Sequence, residues 1–255
     1  EKAGVGAVVL KSIFEEQINE ETSGVFKAGY GMGDAYPEAE DYIKAYIRSN
    51  TIQKYVELVR NAKSRLTIPV IASVNCFSGG EWISFASQLE EAGADALELN
   101  VFILPVNEFK ESAEVENVYF EIVKSIKSQI KIPVSVKISH YFTNLSAFVD
   151  KIKAYGANAT TLFNRFYEPD ININTLEMGA ASVFSTAAEL RTTLRWTGIL
   201  AGKDKKLEIS ASTGVHGGEA AVKLLLAGAT TVQVCSVLYE KGIHVIEDIN
   251  NFIGK

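Results

Sequence analysis

The chain has 255 residues, 47% of them hydrophobic, a formal charge of −6 and two cysteines. That length and apolar share suit one large soluble core, and no apolar run approaches the ~20 residues of a membrane helix. The acidic balance disfavours nucleic acid as a partner, and two cysteines in so long a chain make no disulfide framework, so a reducing cytoplasm is the expected setting.

One pattern occurs four times along the chain. A helix-like stretch ends in a small Gly-Ala turn, and a short apolar run then closes on a polar residue. Ala3-Gly4-Val5-Gly6-Ala7 leads to Lys11, and Ala92-Gly93-Ala94-Asp95-Ala96 leads to Asn100. Tyr155-Gly156-Ala157-Asn158-Ala159 leads to Asn164, and Ala227-Gly228-Ala229 leads to Cys235-Ser236. The glycine is predicted to stop the helix in the left-handed conformation, and the apolar run to form a buried parallel strand.

A second kind of strand lies between these copies. Residues 68–75 and 132–139 both open Ile-Pro-Val, and residues 207–213 fill the matching place near the C-terminus. Proline is tolerated at a strand's first residue, where a ladder donor is dispensable. The seven predicted strands alternate with helices, which predicts a parallel sheet covered by helices. The expected fold is α/β, a (β/α)8 TIM barrel forming a single domain over residues 1–255. A closed barrel wants one strand more. Extrapolating the alternation backward puts the first strand and its helix before residue 1, and the last predicted helix, 244–253, meets the chain's end. A longer barrel trimmed at both ends is therefore expected, with an open seven-stranded sheet as the alternative.

Lys11, Asn75, Asn100, Lys137 and Asn164 close five successive strands, and Ser212, Thr213, Cys235 and Ser236 close the last two. In a barrel such residues belong to one mouth. Amides both donate and accept hydrogen bonds and lysine supplies a cation, a set that suits a planar heterocycle with carbonyl and N–H edges. The plainer alternative for each is a polar strand terminus beside solvent. Residues 212–219 (Ser-Thr-Gly-Val-His-Gly-Gly-Glu) run from a strand into a helix and read as a phosphate cup, with Cys235-Ser236 as its second wall. A Gly-rich turn with an ordinary cap is the alternative there.

With these segments in hand the chain resembles the FMN-dependent dihydroorotate dehydrogenases, most closely their soluble dimeric class. The telling stretches are Leu97-Glu98-Leu99-Asn100-Val101, Pro133-Val134-Ser135-Val136-Lys137-Ile138-Ser139 and the run from Gly218 to Ala229. The resemblance implies FMN as cofactor and oxidation of dihydroorotate to orotate in pyrimidine biosynthesis. It also implies reoxidation by a soluble acceptor, and a homodimer. It matches Lys11 and Ser12 to a pair beside flavin and substrate, and Asn100 and Asn164 to amides that touch both. Lys137 matches the lysine at the pyrimidine edge of the isoalloxazine. Gly214 with Ser212 and Thr213, and Cys235-Ser236, match the two sides of the phosphate site, and Asn75 joins the cofactor set from its strand end.

The chain departs from the family pattern at the loop after the fourth strand, where the family carries a Cys or Ser base. Ile103 stands there, and isoleucine cannot accept a proton. Cys76 and His140 are the substitute candidates, the first as a thiolate beside lysine, the second through its titration near neutral pH. Lys11 is the third residue in the catalytic set. Arg165, next to Asn164, is a candidate partner for a substrate carboxylate or else one arm of a salt bridge. His216 is expected near phosphate. No His/Cys/Asp/Glu spacing resembles a metal site. Residues 15–46 and 165–185 are expected to be long loops. The missing base favours one rival reading, a flavoprotein for another dihydropyrimidine or enone; a silent barrel that binds a phosphorylated ligand is the alternative of a different class.

Overall fold

The computed structural model describes residues 1–14, 37–75, 79–101, 103–165, 169–180, 182 and 184–255. The chain divides into two compact units, Gly6–Val134 and Glu1–Val5 with Ser135–Lys255.

The Gly6–Val134 unit runs β1 (Val8–Val9), β2 (Ile13–Phe14), α1 (Pro37–Arg65), β3 (Val70–Asn75), α2 (Gly79–Glu91), β4 (Ala96–Asn100) and α3 (Ser112–Lys127). Strand β3 is central: β1 and β2 lie parallel along one edge and β4 along the other. Side chains alternate with the strand's period of two. Val70, Ala72 and Val74 of β3 and Leu97 and Leu99 of β4 are almost fully buried, as are Val56, Val59, Phe85, Leu89, Val123 and Ile126 of the helices. Each such Val, Leu, Ile or Phe side chain contributes about 1.5–3 kcal/mol of transfer free energy. The opposite parity holds Ser73, Asn75, Glu98 and Asn100, all buried too. This sheet therefore has one apolar face and one polar face, and both are withdrawn from water.

The Ile-Pro-Val openings have a clear structural role. Pro69 lacks an N–H but its carbonyl accepts from Val8 N at 3.0 Å, and the Pro133 carbonyl accepts from Leu97 N at 2.9 Å. Each proline thus keeps the ladder acceptor and gives up only a donor that a first strand residue can lack. Side chains tie down the neighbouring amides: Asp95 accepts from Val70 N, and Glu90 accepts from both Lys131 N and Ile132 N.

The second unit contains most of β5 (Val134–Ile138), then α4 (Leu145–Ala154), β6 (Ala159–Leu162), β7 (Pro169–Asn172) and β8 (Glu177–Ala180). After a 3-10 turn come α5 (Leu190–Lys203), β9 (Glu208–Ala211), α6 (Gly218–Leu226), β10 (Thr231–Val232), α7 (Ser236–Lys241) and α8 (Val245–Ile253). Parallel pairs β5–β6, β6–β9 and β9–β10 form its sheet. Val215, Ala221, Leu224, Val237, Val245, Ile246 and Ile249 pack into one cluster, which Ala3 and Val5 also join.

Seven of the strand places of a (β/α)8 TIM barrel are filled by described residues, β1 and β2 sharing one, and the helices alternate with them as expected. Gly4, Gly93, Gly156 and Gly228 all carry the positive φ predicted for the four helix stops. Two loop expectations need correction. The stretch after Asn164 is not all loop: β7 and β8 form an antiparallel hairpin, with Ile171, Ile173, Leu176 and Met178 exposed. Polar turn residues hid it, and Asn172 Oδ1 accepting from Asn174 N shapes that turn. Of the loop expected over 15–46, residues 15–36 lie outside the described residues, while helix α1 begins at Pro37. Proline suits a first helical position, where its missing N–H has no helical partner to lose. Among described residues, no helix is long and apolar enough to cross a membrane.

Candidate functional site

In the Gly6–Val134 unit, Lys11 and Ser12 fall between β1 and β2, and Asn75 and Asn100 close β3 and β4. Lys11 is exposed and Ser12 half-buried. The Ser12 and Ser73 hydroxyls are 2.6 Å apart. Asn75 is 2% exposed, and its Oδ1 is buried with no hydrogen-bond partner among the described residues. An orphaned acceptor of this kind costs about 1–3 kcal/mol, so it calls for an N–H donor. Asn75→Leu is expected to leave the ligand-free protein as stable or more stable in urea and, for the cofactor that the resemblance implies, to weaken flavin binding. Equal flavin affinity in the two proteins would remove Asn75 from the cofactor set.

Glu98 was missed at the sequence level, although a charged residue two before Asn100 in an apolar strand was a usable signal. It is 2% exposed and pairs in register with Ser73, so it lines the same polar face as Asn100. The loop that follows holds Ile103, half-buried and hydrogen-bonded through its backbone to the Tyr119 phenol of α3. Burial pushes that phenol up to about 12. It stays protonated at neutral pH and serves as an anchor for the loop. Cys76 lies outside the described residues.

In the other unit the predicted residues sit at the carboxyl ends of adjacent strands. Lys137 is on β5, opposite Thr161 of β6, on the face that also carries Ser135, whose hydroxyl lies 2.9 Å from that of Thr161. Asn164 N donates to Ile138 O at 2.7 Å, and Phe163 N donates to Ser212 O at 3.2 Å, which stitches the three strand ends together. His140 is exposed beside Tyr141 and edge-on to Phe163. Partial desolvation lowers its pKa from the ordinary value, so the ring is neutral and able to accept a proton at pH 7.

Arg165 has protein partners. Its Nε donates to Glu189 Oε1 at 2.8 Å and its Nη1 to the Ser182 carbonyl at 2.7 Å. This is the salt bridge weighed against a substrate carboxylate. Burial raises the Glu189 pKa, but the Thr186 N–H and the Arg165 guanidinium lower it further, leaving the carboxyl below the usual range. A folded-state pKa below the unfolded value of about 4.3 confers stability that is complete above that value and lost as pH falls through the folded pKa. Glu189→Gln is therefore expected to melt below wild type at about pH 7, with the gap closing toward about pH 2. A gap independent of pH would refute an ionic role.

The glycine-rich turn bends through two left-handed residues, Thr213 and Gly214. Gly214 has φ +81, and a Cβ there would come within 2.2 Å of Leu190 N. Thr213 also has positive φ, 78°, at a place where the resemblance puts glycine, and its hydroxyl donates to Phe163 O at 3.1 Å. Helix α6 starts from Gly217 without a side-chain cap, and a Cβ on Gly217 would meet nothing within 4 Å. Open space before uncapped helical N–H groups fits an anion such as a phosphate. Cys235 is an exposed free thiol, and Ser236 begins α7. The Ser236 hydroxyl accepts from Ser185 N at 2.9 Å. The Ser185 hydroxyl reaches both Ser236 Oγ at 3.1 Å and His216 Nε2 at 3.2 Å. His216 Nδ1 lies 3.3 Å from Glu240 Oε2. Ser185, distant in sequence, was not foreseen.

Comparison with known proteins gives the family. The family model described as dihydroorotate dehydrogenase matches residues 46–255. A putative dihydroorotate dehydrogenase A (fumarate) of Aeropyrum pernix is 28% identical, the match covering 98% of this chain and 79% of that protein. The catalytic subunit of dihydroorotate dehydrogenase B (NAD(+)) of Thermoplasma acidophilum is 30% identical, over 96% of this chain and 79% of that one. The crystal structure of the Eimeria tenella enzyme in complex with ferulenol superposes with a TM-score of 0.61 at 15% identity, over 79% of this chain. The match spans 62% of the Eimeria chain, and at that identity the likeness speaks for the fold. By the family match over most of its length, this chain belongs to the dihydroorotate dehydrogenase family.

Proposed function

We propose that this protein is an FMN-dependent oxidoreductase that oxidises dihydroorotate to orotate, passing its electrons to a soluble acceptor. The observation that carries the reading is the glycine turn before α6: Gly214 admits no side chain, and the helix behind it opens without a cap. The orphaned Asn75 acceptor supports it, because a flavin ring offers an N–H edge.

FMN, when bound, supplies the electron-pair acceptor. The chain's own groups do the rest. Backbone N–H groups from Gly217 onward, with Ser212 and Ser236, hold the phosphate. Lys137 offers a fixed cation to the negative charge that grows on reduction. Asn100 and Asn164 present amides to the substrate's carbonyl and N–H edges, and Lys11 its ammonium. A proton must leave the substrate carbon next to the hydride donor. With Ile103 at the family's base position, His140 is the described residue suited to take it, and Cys76 is the other candidate.

The purified protein is expected to be yellow, with a flavin absorption band that bleaches under anaerobic addition of dihydroorotate. A flavin band that dihydroorotate leaves oxidised moves the assignment to another dihydropyrimidine or an enone, the reading that Ile103 itself favours. A colourless protein that takes up no FMN ends the oxidoreductase reading and leaves the silent barrel.

A further inference from the structure

The first strand place is broken where the Lys11–Ser12 pair stands. Val9 pairs with Ile71 on β3, yet Ile13 pairs with Val74. One strand advances four residues while its partner advances three, which is a one-residue bulge. Ladder bonds run from Val8 N to Pro69 O and from Leu10 N to Ile71 O, and the next place in that series belongs to Ser73. Strand β2 rejoins in the register Ile13 to Val74, which puts Ile13 N at the Ser73 carbonyl and leaves the Ser73 amide to a side chain. The Tyr55 hydroxyl of α1 meets it: Ser73 N donates to Tyr55 Oη at 2.9 Å, and Tyr55 Oη donates to Ser73 O at 2.8 Å. One phenol thus satisfies the amide that the bulge leaves open and adds a second bond to the carbonyl beside it. Tyr55 is itself 8% exposed and packs at a tilt on Phe85. Burial, with Glu98 nearby, pushes the phenol up to about 12, which keeps the proton that the Ser73 carbonyl receives. The Ser73 side chain then reaches Ser12 Oγ at 2.6 Å.

A bulge re-aims side chains and, unsupported, leaves buried backbone groups unsatisfied. We propose that Tyr55 is a positioning residue for the Lys11–Ser12 pair: its hydroxyl takes the strand's place at the Ser73 amide and so fixes where the pair leaves and rejoins the sheet. The consequence for flavin rests on the function proposed above. The placement of the pair does not.

The test is Tyr55→Phe in the whole chain, with Tyr239→Phe, an exposed phenol, as control. In ligand-free protein, amide hydrogen exchange at Ser12, Ile13 and Ser73 is expected to quicken at least about tenfold in Tyr55→Phe, with exchange at Val136 unchanged. Exchange at those three amides equal to wild type overturns the proposal. Flavin titration adds a readout that general destabilisation would not imitate. Tyr55→Phe should weaken FMN at least about fivefold alone, but less than about twofold in a Lys11→Ala, Ser12→Ala background, as groups acting through one another do. Full additivity would refute it. If wild type binds no FMN, the oxidoreductase reading falls, and the exchange measurement still judges Tyr55.

Discussion

Gly214→Ala is expected to lower folding stability by about 3 kcal/mol, the sum of a left-handed alanine at roughly 1–2 kcal/mol and a backbone clash of similar size. The added methyl would stand 2.2 Å from Leu190 N and 2.6 Å from Leu190 Cα. Neither atom can retreat as a flexible side-chain end would, because Leu190 is where α5 begins. Urea unfolding should show the midpoint falling with the slope unchanged. Gly217→Ala is the matched control: its φ of 174° is ordinary extended backbone, and a Cβ there meets nothing within 4 Å. It should cost less than about 1 kcal/mol while crowding a bound phosphate. Equal losses at the two positions would show that the cup's shape, as described, does not govern its tolerance. The left-handed Thr213 beside it makes the converse change informative as well. Thr213→Gly relieves the side chain's strain but gives up the bond to Phe163 O.

Lys137→Ala is expected to slow reduction by dihydroorotate about 10²–10³-fold, the scale seen when one fixed electrostatic donor is removed from a reacting centre. Lys137 pairs in register with Thr161 of β6, and its neighbours Val136 and Ile138 are fully buried, so the backbone that presents it is held in place. The flavin band should survive the substitution, because phosphate binding draws on other residues of the same unit. Anaerobic stopped-flow mixing with dihydroorotate measures the rate directly. A variant that bleaches as fast as wild type would take Lys137 out of the reaction.

Much of this protein was legible before any coordinates. The four Gly-Ala stops were readable because a left-handed helix end selects glycine from local sterics alone, and all four show it. The Ile-Pro-Val strands were readable because proline's missing donor restricts where in a ladder it can stand. Strand ends then located Lys11, Asn75, Asn100, Lys137 and Asn164 one by one, since each follows directly from its own apolar run. The β7–β8 hairpin was not readable, because its strands are short, exposed and without the apolar alternation that marks a buried sheet.

Local rules settled the order of strands and helices and which residue closes each strand. Partnership between segments distant in sequence was decided only in three dimensions. Tyr55 entering the ladder at Ser73, Ser185 meeting Ser236 and His216, and Arg165 turning to Glu189 all depend on such partners. Helix and strand signals come from neighbours within a few residues, whereas a hydrogen bond across many residues leaves no periodic trace in the chain that makes it.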